Sequence, residues 1–379
     1  MIKKYDINNT LVNIINDNIN NFGDVPFFLI NITEIINLYN LWIQKLPNIK
    51  PYYAIKCNTD NEIIKILSNL NCNFDVASIN EIEYILKYVN SDRLIYANPC
   101  KSISSIIYCK NNNINLMTFD SIEELYKIKK YNENAKLILR IAVDDSKSLC
   151  KFNIKFGYNI NNINDIINII NNLKLNLIGI SFHVGSGCSS PKIYYESIKI
   201  TKDIYNIAKK NNINISIIDI GGGFIKKLFN EISIEINNAL NDFYYDELLN
   251  NEISFISEPG RFFIETSHTL ILNVISKKKD NDIIKYYIND GIYGCFNCII
   301  NDHANPSFNL LKSNDNELYN SIIFGPTCDS IDIIKKNIIL PELNIGDYLY
   351  VENFGAYTIS ASSKFNGFYV NNNVYYSYE

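Results

Sequence analysis

From about residue 32 the chain alternates between two periodicities. ITEIINLYNLWIQKL spaces its apolar residues as a helix does, and KPYYAIK follows as a compact apolar run. Further short runs recur as CNFDVA, RLIYAN, NLMTFD, AKLILRIAV, NLIGISFHV, ISIIDIG and SFISEPG, separated by helix-like segments such as DNEIIKILSNL, INEIEYILKYV and SIEELYKIKKY. Eight strands alternating with helices between Tyr52 and Glu258 predict a (β/α)8 barrel of the α/β class. A doubly wound open sheet is the alternative, but no G-x-G-x-x-G follows the first strand. After Arg261 the rhythm turns strand-rich, as in FFIETSHTLILNVIS and DYLYVENFGAYTIS. The expected division is therefore a barrel over 25–260 and a C-terminal β-sandwich or barrel domain over 261–379, joined by residues 1–24. The long polar connection over 144–159, DDSKSLCKFNIKFGYN, is expected to act as a mobile lid.

Composition narrows the class. With 379 residues, 47% hydrophobic and 20% charged, the chain is globular and too long for one ordinary core. A net charge of −5 and the lack of any basic block argue against nucleic acid. The N-terminal stretch is broken by Asn and Asp throughout, and no run of eighteen apolar residues occurs, so a cytoplasmic protein is expected. Nine scattered cysteines fit free thiols in a reducing compartment. Arginine is scarce: Arg93, Arg140 and Arg261 are the only three, so each invites a specific role. Cys295-x-x-Cys298 with His303 imitates half a zinc site, but no second ligand pair lies nearby, and no metal is expected.

Barrel active sites gather at the C-terminal strand ends, where this chain carries Lys56, Asp75, Arg140, His183, Gly221 and Glu258. The loops after the seventh and eighth strands read DIGGGF and EPGR. Three glycines let backbone N–H groups approach an anion, Arg261 adds a planar cation, and Ser186 adds a hydroxyl. Taken singly, Lys56 reads as a surface amine, His183 as a core histidine and Glu258 as a strand-end ion pair. Taken together, an amine, a phosphate cradle, an acid and a flat ring match what pyridoxal phosphate needs.

The blocks YAIKCN, FDVAS, RLIYANPCK, FHVGSGC, DIGGGF, EPGR, YGCFNCIINDHA, FGPTCDSID and ENFGAYT, in that order, resemble the ornithine decarboxylase family of pyridoxal-phosphate decarboxylases with an alanine-racemase-like barrel. The resemblance implies that Lys56 carries the cofactor, His183 stacks on its ring and Glu258 faces its ring nitrogen. It implies a phosphate site of Ser186, Gly222, Gly223, Gly260, Arg261 and Tyr357, with Asp75 and Arg140 close to the cofactor. Cys328 is implied as the acid that protonates the α-carbon, and Asp302, Asp329 and Tyr293 as contacts to a dibasic amino acid. A homodimer is implied too, with Lys155, Asp332, Gly355 and Cys328 at a shared interface.

Those features predict decarboxylation of L-ornithine to putrescine in polyamine biosynthesis. Asn301, Ser330 and Phe324 depart from the family's usual Tyr, Gly and Trp, which leaves L-lysine and L-arginine open as substrates. A non-catalytic, antizyme-binding relative is the reading from another class, although this chain retains the lysine, the glycines and Cys328.

Overall fold

The structure, a computed structural model, describes residues 2–312 and 317–379. It separates into two compact units: Tyr39–Phe262, and the segment up to Leu38 together with Phe263–Glu379.

The first unit is a closed barrel of eight parallel strands. In chain order they are β1 (Ile49–Ala54), β2 (Asn73–Val76), β3 (Leu94–Tyr96), β4 (Leu116–Phe119), β5 (Lys136–Ile141), β6 (Asn176–Phe182), β7 (Ile217–Asp219) and β8 (Ser254–Ser257). Each coincides with one of the eight apolar runs. The barrel closes where Phe255 pairs with Ile49. Its strands are short and nearly continuous in apolar residues because both faces are covered, by helices outside and by side chains within. Tyr52, Ile95, Ala97, Ile138 and Ile256 fill part of the interior.

Polar caps start the helices. Asp60 accepts from the N–H groups of Glu62 and Ile63, and Ser78, Ser102 and Ser121 each accept from the N–H three residues on. The sole tryptophan, Trp42, is fully buried and donates its indole N–H to the Ile49 carbonyl, 3.0 Å away. Its ring packs against Phe224, Phe229 and Phe262, fixing the helix Ile32–Lys45 beside β1.

The second unit is built on a nine-stranded sheet. The long strand His268–Asp280 pairs antiparallel with Phe27–Asn31, Ile283–Ile288 and Tyr348–Glu352. Phe27–Asn31 also takes Asn372–Tyr378 as a parallel neighbour, and Lys3–Tyr5 adds at that edge. The expected barrel range of 25–260 takes in residues 25–38, which belong to the sheet unit. Phe27–Ile30 are buried inside this sheet, because both their neighbouring strands come from the C-terminal part of the chain.

The 144–159 connection is tied down, contrary to the expected mobile lid. Ser148–Cys150 forms a two-stranded antiparallel ladder with Ser186–Cys188. Buried Asp145 accepts from the N–H groups of Phe152 and Asn153 at 2.6 and 2.8 Å, and Asp120 accepts from the Gly157 N–H at 2.8 Å. Backbone bonds from Tyr158 N–H to the Arg140 carbonyl and from Ala142 N–H to the Tyr158 carbonyl fasten the far end. Its polarity reflects this bonding, so the segment is a strap.

Candidate functional site at the barrel rim

Lys56 lies in the single helical turn Ile55–Cys57 that follows β1, so its side chain leaves a fully buried strand end. Its side chain is 46% exposed, while that of Asp75 is 1% exposed, and Nζ sits 2.6 Å from Asp75 Oδ2. A surface lysine would need no buried counter-charge. This one is an amine held at the rim by a carboxylate from β2.

The β7 loop forms an arch that only glycine permits. A Cβ on Gly222 would lie 2.7 Å from the Glu258 carbonyl and 2.9 Å from His183 Nε2, and one on Gly223 would lie 2.6 Å from the Gly185 carbonyl. Gly223 also has φ +100°, in the region that side chains avoid. The arch is fixed from behind: the Glu258 N–H donates to the Gly221 carbonyl at 2.8 Å, and the Tyr194 hydroxyl to the Gly222 carbonyl at 2.9 Å. Beside it Arg261 donates through Nη2 to Ser186 Oγ at 3.3 Å. The glycine arch, Ser186 and Arg261 therefore converge, and Gly260 is buried immediately before the arginine.

The electrostatics fit a site that binds a charged ring. His183 accepts from the Gly185 N–H through Nδ1 at 3.0 Å. Burial, and then the cations Arg140 and Lys56, hold its imidazole well below the usual histidine range, so it is neutral. Burial pushes the Glu258 carboxyl well above its ordinary value, and the neighbouring Asp219 and Asp75 carboxylates push it further. Asp219 itself is raised to about 6, mainly by burial. Burial lowers Arg140, opposed by Glu258 and the surrounding aspartates. Asp219 was missed from the sequence. It precedes the glycines directly and bonds the Gly221 N–H at 2.9 Å, so it looked like part of a loop motif.

The residues present fit pyridoxal phosphate. Asp75 Oδ1 and Arg140 Nη2 are buried with no hydrogen-bond partner among the described residues, polar atoms that a bound group would satisfy. The arch leaves the space of two missing side chains beside a hydroxyl and a guanidinium.

The C-terminal unit gathers the remaining candidates. Cys328 is exposed on the turn after the strand Leu318–Phe324, and its N–H donates to Asn366 Oδ1 at 3.0 Å. The Tyr293 hydroxyl donates to Asp329 Oδ2, and that bond holds the Asp329 carboxyl below its ordinary value. Asp302 is buried at the end of the short helix Cys298–Asn301. Tyr357 has φ 56°, an uncommon left-handed conformation for a residue with a ring. Of the departures, Asn301 and Ser330 are exposed, and Phe324 stacks on Tyr287 at 5.3 Å.

The interface candidates have roles within the chain. Asp332 is buried and accepts from the Ile292 N–H at 2.8 Å and the Thr327 hydroxyl at 2.7 Å, bracing the turn that carries Cys328. At Gly355 a Cβ would lie 2.2 Å from the Ile264 carbonyl and 2.6 Å from His268 Nδ1, so its own chain already demands glycine there.

The comparisons with known proteins agree with this chemistry. The family described as "Pyridoxal-dependent decarboxylase, pyridoxal binding domain" matches residues 32–265. An ornithine decarboxylase of Schizosaccharomyces pombe is 42% identical over 92% of this chain and 83% of its own length. An antizyme inhibitor 2 of Xenopus laevis is also 42% identical, over 90% of this chain and 79% of its own. The crystal structure of the Paramecium bursaria Chlorella virus arginine decarboxylase superposes with a TM-score of 0.92 at 35% identity, covering 97% of this chain and all of that one.

Proposed function

This chain belongs to the pyridoxal-dependent decarboxylase family, and from that premise we propose that it converts L-ornithine to putrescine and CO2 in polyamine biosynthesis. The observation that carries the reading is the Lys56 amine, drawn to the barrel rim by a buried Asp75 within the same strand-end ring as the glycine arch. Pyridoxal phosphate, when bound, supplies a ring that accepts the electron pair left as the α-carboxylate departs.

The chain's own groups do the rest. Lys56 would hold the cofactor through its side-chain amine. Glu258, whose carboxyl burial and the nearby Asp219 and Asp75 hold well above its ordinary value, would give its proton to the ring nitrogen and remain beside it as the carboxylate that keeps it protonated. Neutral His183 presents a flat face without adding a second positive charge. Gly222, Gly223, Gly260, Ser186, Arg261 and Tyr357 hold the phosphate, and Arg140 with Asp75 supports the ring. Cys328 returns a proton to the α-carbon. Asp302, Asp329 and Tyr293 recognise the distal ammonium, where a carboxylate in a polar setting favours a cationic side chain.

Two chains would share these sites as a homodimer, with the Cys328 turn of one serving the other, Lys155 reaching Asp332 and Gly355 at the contact. A cytoplasmic location belongs to the same proposal; among the described residues no helix is long and apolar enough to cross a membrane.

Borohydride reduction of the purified, cofactor-loaded protein should fix the cofactor to Lys56, and Lys56→Ala should lose that label. A label of equal intensity in Lys56→Ala would overturn the assignment. Arginine is the second reading, favoured by the solved arginine decarboxylase that covers nearly the whole chain. Release of CO2 from ornithine, lysine and arginine, measured side by side, decides among them. Dominance of lysine or arginine changes the substrate and leaves the chemistry intact. Absence of release from all three would favour the non-catalytic, antizyme-binding class.

A further inference from the structure

The strap over residues 144–157 packs directly on the segment that carries His183 and Ser186. A Cβ on Gly185 would lie 2.6 Å from both the Cys150 carbonyl and Ser148 Cβ, and one on Gly187 would lie 2.9 Å from Leu149 Cδ1. The Ser148 hydroxyl donates to the Val184 carbonyl, and Cys150 is the ladder partner of Ser186. Strap and site segment are thus one bonded layer with almost no spare volume.

From the middle of this layer Phe152 turns inward. Its ring meets the His183 imidazole edge to face, with centroids 4.8 Å apart and planes 62° apart. Its neighbour but one, Ile154, is 94% exposed, so hydrophobic collapse of the strap does not explain the inward turn. Asp145 does. Its buried Oδ2 takes the N–H groups of both Phe152 and Asn153, which fixes the backbone at the point where the ring departs. The imidazole is then constrained by two contacts, the Gly185 N–H on Nδ1 and the Phe152 ring.

We propose that Phe152, set by Asp145, is a positioning residue that fixes the plane of His183 and through it the pose of the bound cofactor. The inference rests on the reading that pyridoxal phosphate binds at this rim, with His183 against its ring. Phe152 itself needs no contact with the cofactor; it acts by denying the imidazole the freedom to tilt.

The test compares Phe152→Ala, Phe152→Tyr and Asp145→Ala with the unsubstituted protein. Cofactor-free protein is titrated with pyridoxal phosphate, and visible circular dichroism is recorded per bound cofactor. Phe152→Ala should raise the cofactor Kd about two- to tenfold, the worth of one edge-to-face aromatic contact. It should also reduce the ellipticity per bound cofactor, and Phe152→Tyr should restore both. Asp145→Ala should shift both readouts the same way while trypsin cuts faster at Lys147 and Lys151. If Phe152→Ala keeps the cofactor Kd and the ellipticity of the unsubstituted protein, the inference is overturned, whatever happens to its melting temperature. Failure of the unsubstituted protein to take up any pyridoxal phosphate would instead overturn the functional reading on which the inference depends.

Discussion

At Gly222 the smallest residue is required twice over, by the Glu258 carbonyl and by the imidazole of His183. Gly222→Ala should leave the fold largely intact, because the crowding is local to the rim, but should weaken cofactor uptake by at least tenfold, measured by fluorescence titration. A near-normal affinity would remove the arch from the phosphate site. The glycines, Lys56 and Glu258 were legible in the sequence because each ends an apolar run, and barrel geometry brings such ends together. Asp219 was not legible. It ends a run as well, but its significance lies in facing Glu258 across two adjacent strands, a relation that linear order does not express. Gly355 adds a requirement that linear order also hides: besides the proposed contact with another subunit, its own His268 and Ile264 would crowd a Cβ there.

Among the elements, the helices owe their starting points to single polar side chains. Ser121 accepts from the Glu124 N–H at the head of the helix Ile122–Tyr131. Ser121→Ala should cost about 1 kcal/mol, or roughly 2–4 °C in melting temperature for a unit of this size, while leaving cofactor binding unchanged. Calorimetry checks the first and titration the second. All eight barrel strands were readable, since buried parallel strands appear as short unbroken apolar runs. The two strands of Ser148–Cys150 and Ser186–Cys188 were not, because SLC and SGC form no apolar run. A polar strap and a polar lid look alike in sequence; the difference lies in whether Asp145 and Asp120 find backbone N–H partners.

For the molecule as a whole, each unit contains a buried acid raised on folding: Asp219 to about 6 in the barrel and Asp290 to about 7 in the sheet unit, both mainly through burial. Such a carboxyl is protonated in the folded chain and ionised in the unfolded chain between its two pKa values. The stability it contributes is full below the unfolded value near 3.8 and is lost as pH rises through the folded one. The cofactor-free protein should therefore be less stable at pH 8 than at pH 5.5, by about 1 kcal/mol through Asp219 and about 2 kcal/mol through Asp290, and should melt correspondingly lower. Asp219→Asn and Asp290→Asn should flatten that slope, and a melting temperature that rises across the same window would contradict the assignment. The domain boundary was the least readable property, since nothing near Phe27–Asn31 announces that its partners lie more than 200 residues later. That pairing has a consequence for synthesis on the ribosome. The barrel is a continuous stretch and can fold as soon as Phe262 emerges, but the buried strand FFLIN has no neighbour until His268 and later Asn372 arrive. At ribosomal speed the wait for His268 is roughly 10–50 s, during which an unpaired apolar edge is open to any other nascent chain. This early-made strand is thus among the last of the chain to be sheltered, and it is the segment for which a chaperone would matter most.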